Sequence, residues 1–314
     1  MTTRIFGVLL GIALVATACG SSTPPPPPVS VAPAVVRPAG AVDITEAPPV
    51  TAEQCDAEAS LRPSQVSGPA LDAIRARGRL IVGVDQNTFN IGYREPISGH
   101  LEGFDIDLAR EFARSLFGDP NRIDLQVVDA QQRESALRSG QVDLVVRTFS
   151  ITCERRKKVD FSTVYFYANQ RILSPIDSQI DSPAELSGKR VCALIGTTSL
   201  TRLSELRPRP NLIGVERWTD CLVMLQQGQI DAISTDDVVL AGLAEQDPSV
   251  DVVGPSLGIE PYGVGVKKGN DDLVRYVNAA LERIRRDGTW ERLYTKWFSD
   301  LGPAPTPPEP KYRD

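Results

Sequence analysis

The chain has 314 residues, of which 41% are hydrophobic and 24% charged, and its formal net charge is −6. That balance fits a folded soluble domain and argues against a generic nucleic-acid binder. Five cysteines with no C-x-x-C pair and a single histidine, His100, predict neither a zinc centre nor another cofactor.

In chain order, Arg4 leads into IFGVLLGIALVATACG. A basic residue, a short apolar run and small residues before Cys19 read as a signal peptide over 1–18, too short for a spanning helix. The ending ATAC resembles a bacterial lipobox. It predicts lipidation of Cys19 and an extracytoplasmic protein anchored to the cell membrane; the alternative is an ordinary cleaved signal peptide with Cys19 lost or unpaired. Residues 19–64 then form a Pro-rich tether, because a run of five prolines favours an extended chain and nothing there can bury a core. The closing GPAPTPPEPKYRD predicts a disordered tail over 302–314. Roughly 240 residues lie between, enough for one large or two small domains. No apolar segment after residue 18 is long enough to cross a bilayer.

The folded part alternates strand and helix. PALDAIRARG reads as a short helix and GRLIVGVD as a strand. In GFDIDLAREFARSLFG, Phe104, Leu108, Phe112 and Leu116 recur every four residues as one helical stripe, with Asp105 as expected N-cap and Gly118 as stop. IDLQVVDA is a strand, and RESALRSGQVDLVVRTFS is helix, Gly stop, strand. SPAELSG carries a capping box of Ser182 and Glu185, with Pro183 in the first turn. Further on, Leu273, Val277, Leu281 and Ile284 line one helix face, and TWERLYTKWF closes the fold with aromatics expected in the core. The alternation predicts an α/β protein with largely parallel sheets.

Without Cys19, four cysteines remain, an even number that suggests two disulfides in an exported protein. Cys192 lies on a strand and Cys221 on the following helix of the same lobe, which favours Cys192–Cys221. Cys55–Cys153 follows by elimination.

Two stretches echo each other: ALRSGQVDLVV (136–146) and MLQQGQIDAIS (224–234). Each is helix end, Gly, Gln, β-branched residue, Asp, apolar strand. Either this is reuse of a common unit, or two similar lobes send strands toward a shared cleft. Ligands of open α/β sheets bind beyond the carboxyl ends of strands. That singles out RTFSITCER after the first copy and TDD after the second.

The first loop offers Thr148, Ser150, Thr152 and Arg155; a guanidinium clamps a carboxylate with two parallel bonds. GTTS (196–199) opens a helix, where free N–H groups favour an anion. STDD (234–237) supplies a carboxylate for a ligand cation. Together they match the zwitterion of an α-amino acid. In ITCERRKKVDFS, Arg155 is the functional cation, Arg156, Lys157 and Lys158 read as a solvated face or a docking surface for the membrane partner, and Cys153 as a staple. No G-x-S-x-G or Walker loop points to catalysis.

Over about 70–300 the chain resembles the extracytoplasmic amino-acid-binding proteins of ABC transporters, glutamine/glutamate/aspartate branch. The resemblance rests on LIVGVD, LEGFDIDLAREFA, SGQVDLVVRTFSITCERRKKVDFS, GKRVCALIGTTS, GQIDAISTDDVVLAG, YGVGVKKG and DGTWERLYTKWF. It implies a two-lobe periplasmic-binding-protein fold of type II, each lobe a mostly parallel sheet flanked by helices. Lobe 1 would span 65–172 and 262–301 and lobe 2 173–261, with hinge crossovers near RILSP (171–175) and SLGIEPYG (256–263). It implies a monomer that is no enzyme, closing on a free amino acid and delivering it to an ABC permease. Arg155 would bind the α-carboxylate with the Thr198 N–H, and Asp236 the α-ammonium, with Thr148 and Ser150 assisting. Thr197 and Arg171 would lie at the side-chain end. Where the family usually has Gly-x-Thr, this chain has Thr148 and Ser150. Where glutamate binders often place an arginine after the first strand, it has Asp85. Arg171 favours an anionic side chain, hence Glu or Asp over Gln or Asn. Arg94 is a further candidate. Two other readings share the fold: a sensor presenting its ligand to a membrane signalling partner, and a dehydratase using Asp85 as acid.

Overall fold

A computed structural model describes residues 36–46, 55–64 and 67–314. The signal peptide, Cys19 and the proline run lie outside the described residues. In chain order the elements are β1 (Val42–Ile44), α1 (Pro69–Arg77), β2 (Leu80–Val84), β3 (Asn87–Thr88), β4 (Gly92–Arg94), β5 (Leu101–Glu102), α2 (Phe104–Phe117), β6 (Ile123–Val127), α3 (Arg133–Ser139), β7 (Leu144–Val145), α4 (Cys153–Lys158) and β8 (Val159–Phe161). They continue with β9 (Phe166–Pro175), β10 (Arg190–Leu194), α5 (Thr198–Glu205), β11 (Asn211–Val215), α6 (Trp218–Gln226), β12 (Ala232–Asp236), α7 (Asp237–Gln246), β13 (Val250–Tyr262), β14 (Gly265–Lys267), α8 (Asp271–Arg286) and α9 (Thr289–Phe298).

Two sheets define two lobes. One has the order β6-β2-β7-β14-β8, the other β1-β11-β10-β12-β9-β13. Three parallel strands form the heart of each, β6-β2-β7 and β11-β10-β12, and the flanking strands run antiparallel. β9 and β14, the strands next to each parallel trio, run antiparallel to it because the chain enters each of them directly from the other lobe. It crosses between Phe161 and Phe166 and returns between Tyr262 and Gly265. The first crossing precedes the expected RILSP segment, which lies wholly within β9. The two crossings bond each other: Ser162 N–H donates to the Val264 carbonyl at 3.0 Å, and Val264 N–H to the Ser162 hydroxyl at 2.9 Å.

The internal echo has a structural meaning. Asp143 and Asp231, equivalent in the two copies, each accept a backbone N–H from the neighbouring parallel strand. Ile81 donates to Asp143 at 2.8 Å and Arg190 to Asp231 at 2.7 Å. Each carboxylate also pairs with an arginine, Arg77 or Arg190. The repeated Gly, at 140 and 228, ends each helix with a left-handed φ of 77° or 65°.

The apolar stripes bury as their spacing requires: Phe104, Leu108 and Phe112 on α2, and Leu273, Val277, Leu281 and Ile284 on α8. Asp105 is not the N-cap of α2; Gly103 holds that position, and Asp105 turns inward from the first turn. The Ser182–Glu185 capping box is present on a single 3₁₀ turn. Cys192–Cys221 and Cys55–Cys153 are both bonded, with Cα separations of 5.7 and 5.9 Å.

The termini differ from expectation. Within the supposed tether, β1 pairs antiparallel with β11 and caps an edge that would otherwise expose unpaired backbone groups. Residues 59–61 are buried, with Ser60 and Leu61 bonded to the Asn278 side chain of α8. The tail is not disordered. Lys311 and Arg313 exchange backbone bonds with Ser60, Tyr312 donates to Glu282 at 2.5 Å, and Asp314 pairs with Arg275. Proline content predicted an extended chain, and the tail is extended, but it packs along the lobe that holds residues 55–64. Among the described residues no helix is long and apolar enough to cross a membrane.

Candidate functional site

The site is built where β7 and β12 end, facing each other across the lobes. After β7 the backbone turns at Thr148 with φ of 38°, a left-handed value that a β-branched residue adopts at a cost. Here Asp105 offsets the strain: its Oδ2 accepts the Thr148 N–H at 2.9 Å and its Oδ1 the Tyr165 hydroxyl at 2.9 Å. Burial pushes the Asp105 carboxyl up to about 6, against the lowering effect of those bonds.

The loop then runs into α4, capped by the Thr152 hydroxyl on the Arg155 N–H at 3.1 Å. Arg155 is buried. Its Nη1 donates to the Ser150 carbonyl at 2.6 Å and its Nη2 to the Gly196 carbonyl at 3.1 Å. Arg133, at the head of α3, also donates to the Gly196 carbonyl at 3.1 Å, and both guanidinium groups lie over the Phe149 ring. Gly196 belongs to the other lobe, so two arginines of the first lobe converge on one carbonyl of the second. The remaining cations separate. Arg156 is buried and donates to the Ala57 carbonyl, so it holds the N-terminal segment and is no part of a solvated face. Lys157 and Lys158 make surface pairs with Glu154 and Glu134.

From the second lobe, Thr197 caps α5, its Oγ1 accepting the Leu200 N–H at 3.2 Å. The Thr198 hydroxyl bonds Glu260 at 2.6 Å and lies 3.3 Å from the Ser150 hydroxyl. Asp236 ends β12. Its Oδ2 accepts the Tyr262 hydroxyl, while its buried Oδ1 has no hydrogen-bond partner. Burial first, then the neighbouring Glu260, pushes the Asp236 carboxyl up to about 8.

Thr148, Ser150, Thr197, Thr198 and Asp236 line one cavity. Its volume is about 10 Å³, the space of roughly one water, so an amino acid enters only when the lobes part. Asp85 is buried beside it and paired with Arg147 at 3.1 Å. It also accepts the Gln86 N–H at 2.7 Å and the Thr88 hydroxyl at 2.5 Å. Arg133 and Arg147 line the cavity and were missed by sequence reasoning. Arg147 had a legible signal: a charged residue directly after the buried apolar strand LVV. Its Nε is buried without a partner.

Arg171 lies outside this cavity. Neighbouring strand residues face opposite sides. Gln170 bonds Arg202 and Ser199 on the α5 side, and Arg171 points away toward Asp237. Arg94 braces the β4–β5 turn through Gln86 and the Gly99 carbonyl. Chemically, the cleft sets buried guanidinium groups of one lobe against a carboxylate of the other, with hydroxyls between.

Two hinged α/β lobes with a polar cleft at their strand ends define a binding protein for a small solute. The chain belongs to the bacterial extracellular solute-binding proteins, family 3, which it matches over residues 80–300. It is 36% identical over 231 residues to the ABC transporter glutamine-binding protein GlnH of Bacillus subtilis, covering 73% of this chain and 85% of that protein. It is 30% identical over 231 residues to the glutamate-binding protein GluB of Corynebacterium glutamicum, covering 70% and 78%. Among solved structures, an ancestral arginine-binding protein bound to glutamine superposes with a TM-score of 0.67 at 36% identity, covering 71% of this chain and 98% of that one.

Proposed function

We propose that the cleft captures a free acidic amino acid, glutamate or aspartate ahead of glutamine or asparagine, and delivers it by hinge closure to an ABC importer. The observation that carries the acidic preference is Arg147, a buried guanidinium on the cavity wall with an unpartnered Nε; Arg133 lines the same cavity, and Arg155 reaches the Gly196 carbonyl across the lobes. Opening releases Arg155 Nη2 from the Gly196 carbonyl of the other lobe, and the ligand's α-carboxylate takes its place, aided by the Thr198 N–H. The unpartnered Oδ1 of Asp236 takes the α-ammonium, and the Thr148 and Ser150 hydroxyls complete its shell. Arg147 and Arg133 then meet the side-chain carboxylate. The glutamine- and glutamate-binding relatives support the ligand class. Lipid at Cys19 would hold the protein beside its permease. Calorimetry across the twenty amino acids tests the reading. Glutamate or aspartate should bind tightest, and Arg155→Ala should abolish binding with the unfolding transition retained. A preference for a basic or apolar amino acid would sink it.

A further inference from the structure

Arg171, expected in the cleft, faces a different cavity behind the hinge strands, with a volume of about 540 Å³. This is within the range of small-molecule sites, roughly 300–1,000 Å³. One wall is aromatic: Phe166, Trp290 and Tyr294 stack, with the Phe166–Tyr294 centroids 6.2 Å apart and the Trp290–Tyr294 centroids 5.6 Å apart. The facing wall is aliphatic, from Val238, Ala241 and Val252 of the second lobe, and the tail prolines Pro305 and Pro308 close one side.

The polar end is as specific. The Arg171 Nε is buried and has no hydrogen-bond partner. The Arg171 side chain lines the cavity, and an unmet donor disfavours its empty state, so this end of the site suits an acceptor. Asp237 stands beside it, its Oδ1 accepting the Asn169 and Val238 N–H groups at 3.2 and 2.9 Å. Its Oδ2 receives only the Asn169 amide at 3.3 Å and keeps capacity for a further donor. A bare anion would be repelled by Asp237 and a bare cation by Arg171. A head group carrying both charges satisfies both, and the aromatic wall selects a flat apolar body.

We propose that this cavity is a second ligand site, separate from the cleft, for an aromatic α-amino acid. Its carboxylate lies on Arg171, its ammonium on Asp237 and its ring against Phe166 and Tyr294. The walls come from both lobes, so an occupant bridges the hinge from behind.

Trp290 lines the cavity and serves as a fluorescence reporter. Titration of the full chain with L-phenylalanine should give saturable binding by fluorescence and calorimetry. Phenethylamine and 3-phenylpropionate, each lacking one charge, should bind at least about tenfold more weakly. Arg171→Ala should weaken phenylalanine by about tenfold or more. Val252→Trp, which fills the cavity and leaves Arg171 in place, should abolish binding. Arg155→Ala should leave it unchanged. Three results would overturn the proposal: no saturable binding, binding lost in Arg155→Ala and kept in Arg171→Ala, or binding that survives Val252→Trp.

Discussion

The Arg147 guanidinium lies 3.1 Å from the Asp85 carboxylate, both side chains buried, at the wall of the cleft. Asp85 neutralises much of that arginine, yet the Arg147 Nε stays free of hydrogen bonds. The pair therefore fixes a cation in place and leaves a donor for a ligand. Removing one member of a buried pair strands the other and costs about 3–5 kcal/mol, whereas an apolar replacement of both is close to neutral. Arg147→Gln should lower the unfolding midpoint and cut glutamate affinity by about tenfold more than glutamine affinity. The double change Arg147→Met with Asp85→Leu should restore the midpoint and still lack the acidic preference. Paired calorimetry and thermal melts on the three proteins check this.

Asp236 carries a pH signature. Burial in the closed, empty cleft pushes its carboxyl up to about 8, so below that pH this closed form is mostly protonated. An α-ammonium requires the ionised form, so replacing the empty closed form by the ligand-bound one releases a proton. Affinity should rise with pH toward about 8, by up to roughly tenfold per unit, and then level off. Calorimetry in buffers of different ionisation heat reads the proton directly. Asp236→Asn should flatten the profile and lose about 1.5–3 kcal/mol of binding, the value of a charge-assisted bond.

Closure depends on a glycine. Gly196 has φ of 80°, and a Cβ there would sit 2.9 Å from the Gln131 Cα of the opposite lobe. Gly196→Ala should therefore hold the lobes apart. The expected result is weakened binding, a melt lowered by the left-handed strain of about 1–2 kcal/mol, and a ligand-saturated radius of gyration by small-angle scattering that matches the ligand-free one.

Cross-links set the stability of the second lobe. Cys192 and Cys221 close a loop with a sequence separation of 29. Loss of that constraint in Cys192→Ala/Cys221→Ala should cost about 3–4 kcal/mol in denaturant unfolding, by the loop-entropy relation.

The C-terminal strap should matter as well. Truncation after Leu301 removes the Tyr312–Glu282 and Asp314–Arg275 contacts and uncovers Ser60. A lower melting temperature with cleft binding intact is expected, and an unchanged melt would show that the strap carries no stability.

Much of this was legible in the sequence because it is local or periodic. The α2 and α8 stripes follow from residue spacing, and the Cys192–Cys221 bond from placing a strand and a helix in one lobe, although the helix is α6 and not the α5 that directly follows β10. The echo of RSGQVD and QQGQID marked both cleft-facing strand ends, and with them Ser150 and Asp236, while the helix start in GTTS marked Thr198. These features need only short-range rules and the fact that parallel strands open toward a common edge.

What tertiary structure decided is orientation. One step along β9 separates Gln170, bonded to the α5 network, from Arg171, which faces the rear cavity, and no composition rule tells which side a strand residue takes until its partners are in place. Arg147 and Asp85 are far apart in sequence and become a pair only when β2 and β7 lie side by side. The tail resembled a disordered segment because prolines cannot build a core of their own. It is ordered because α8 and the segment at residue 60 supply from outside the hydrogen-bond partners that its own sequence lacks.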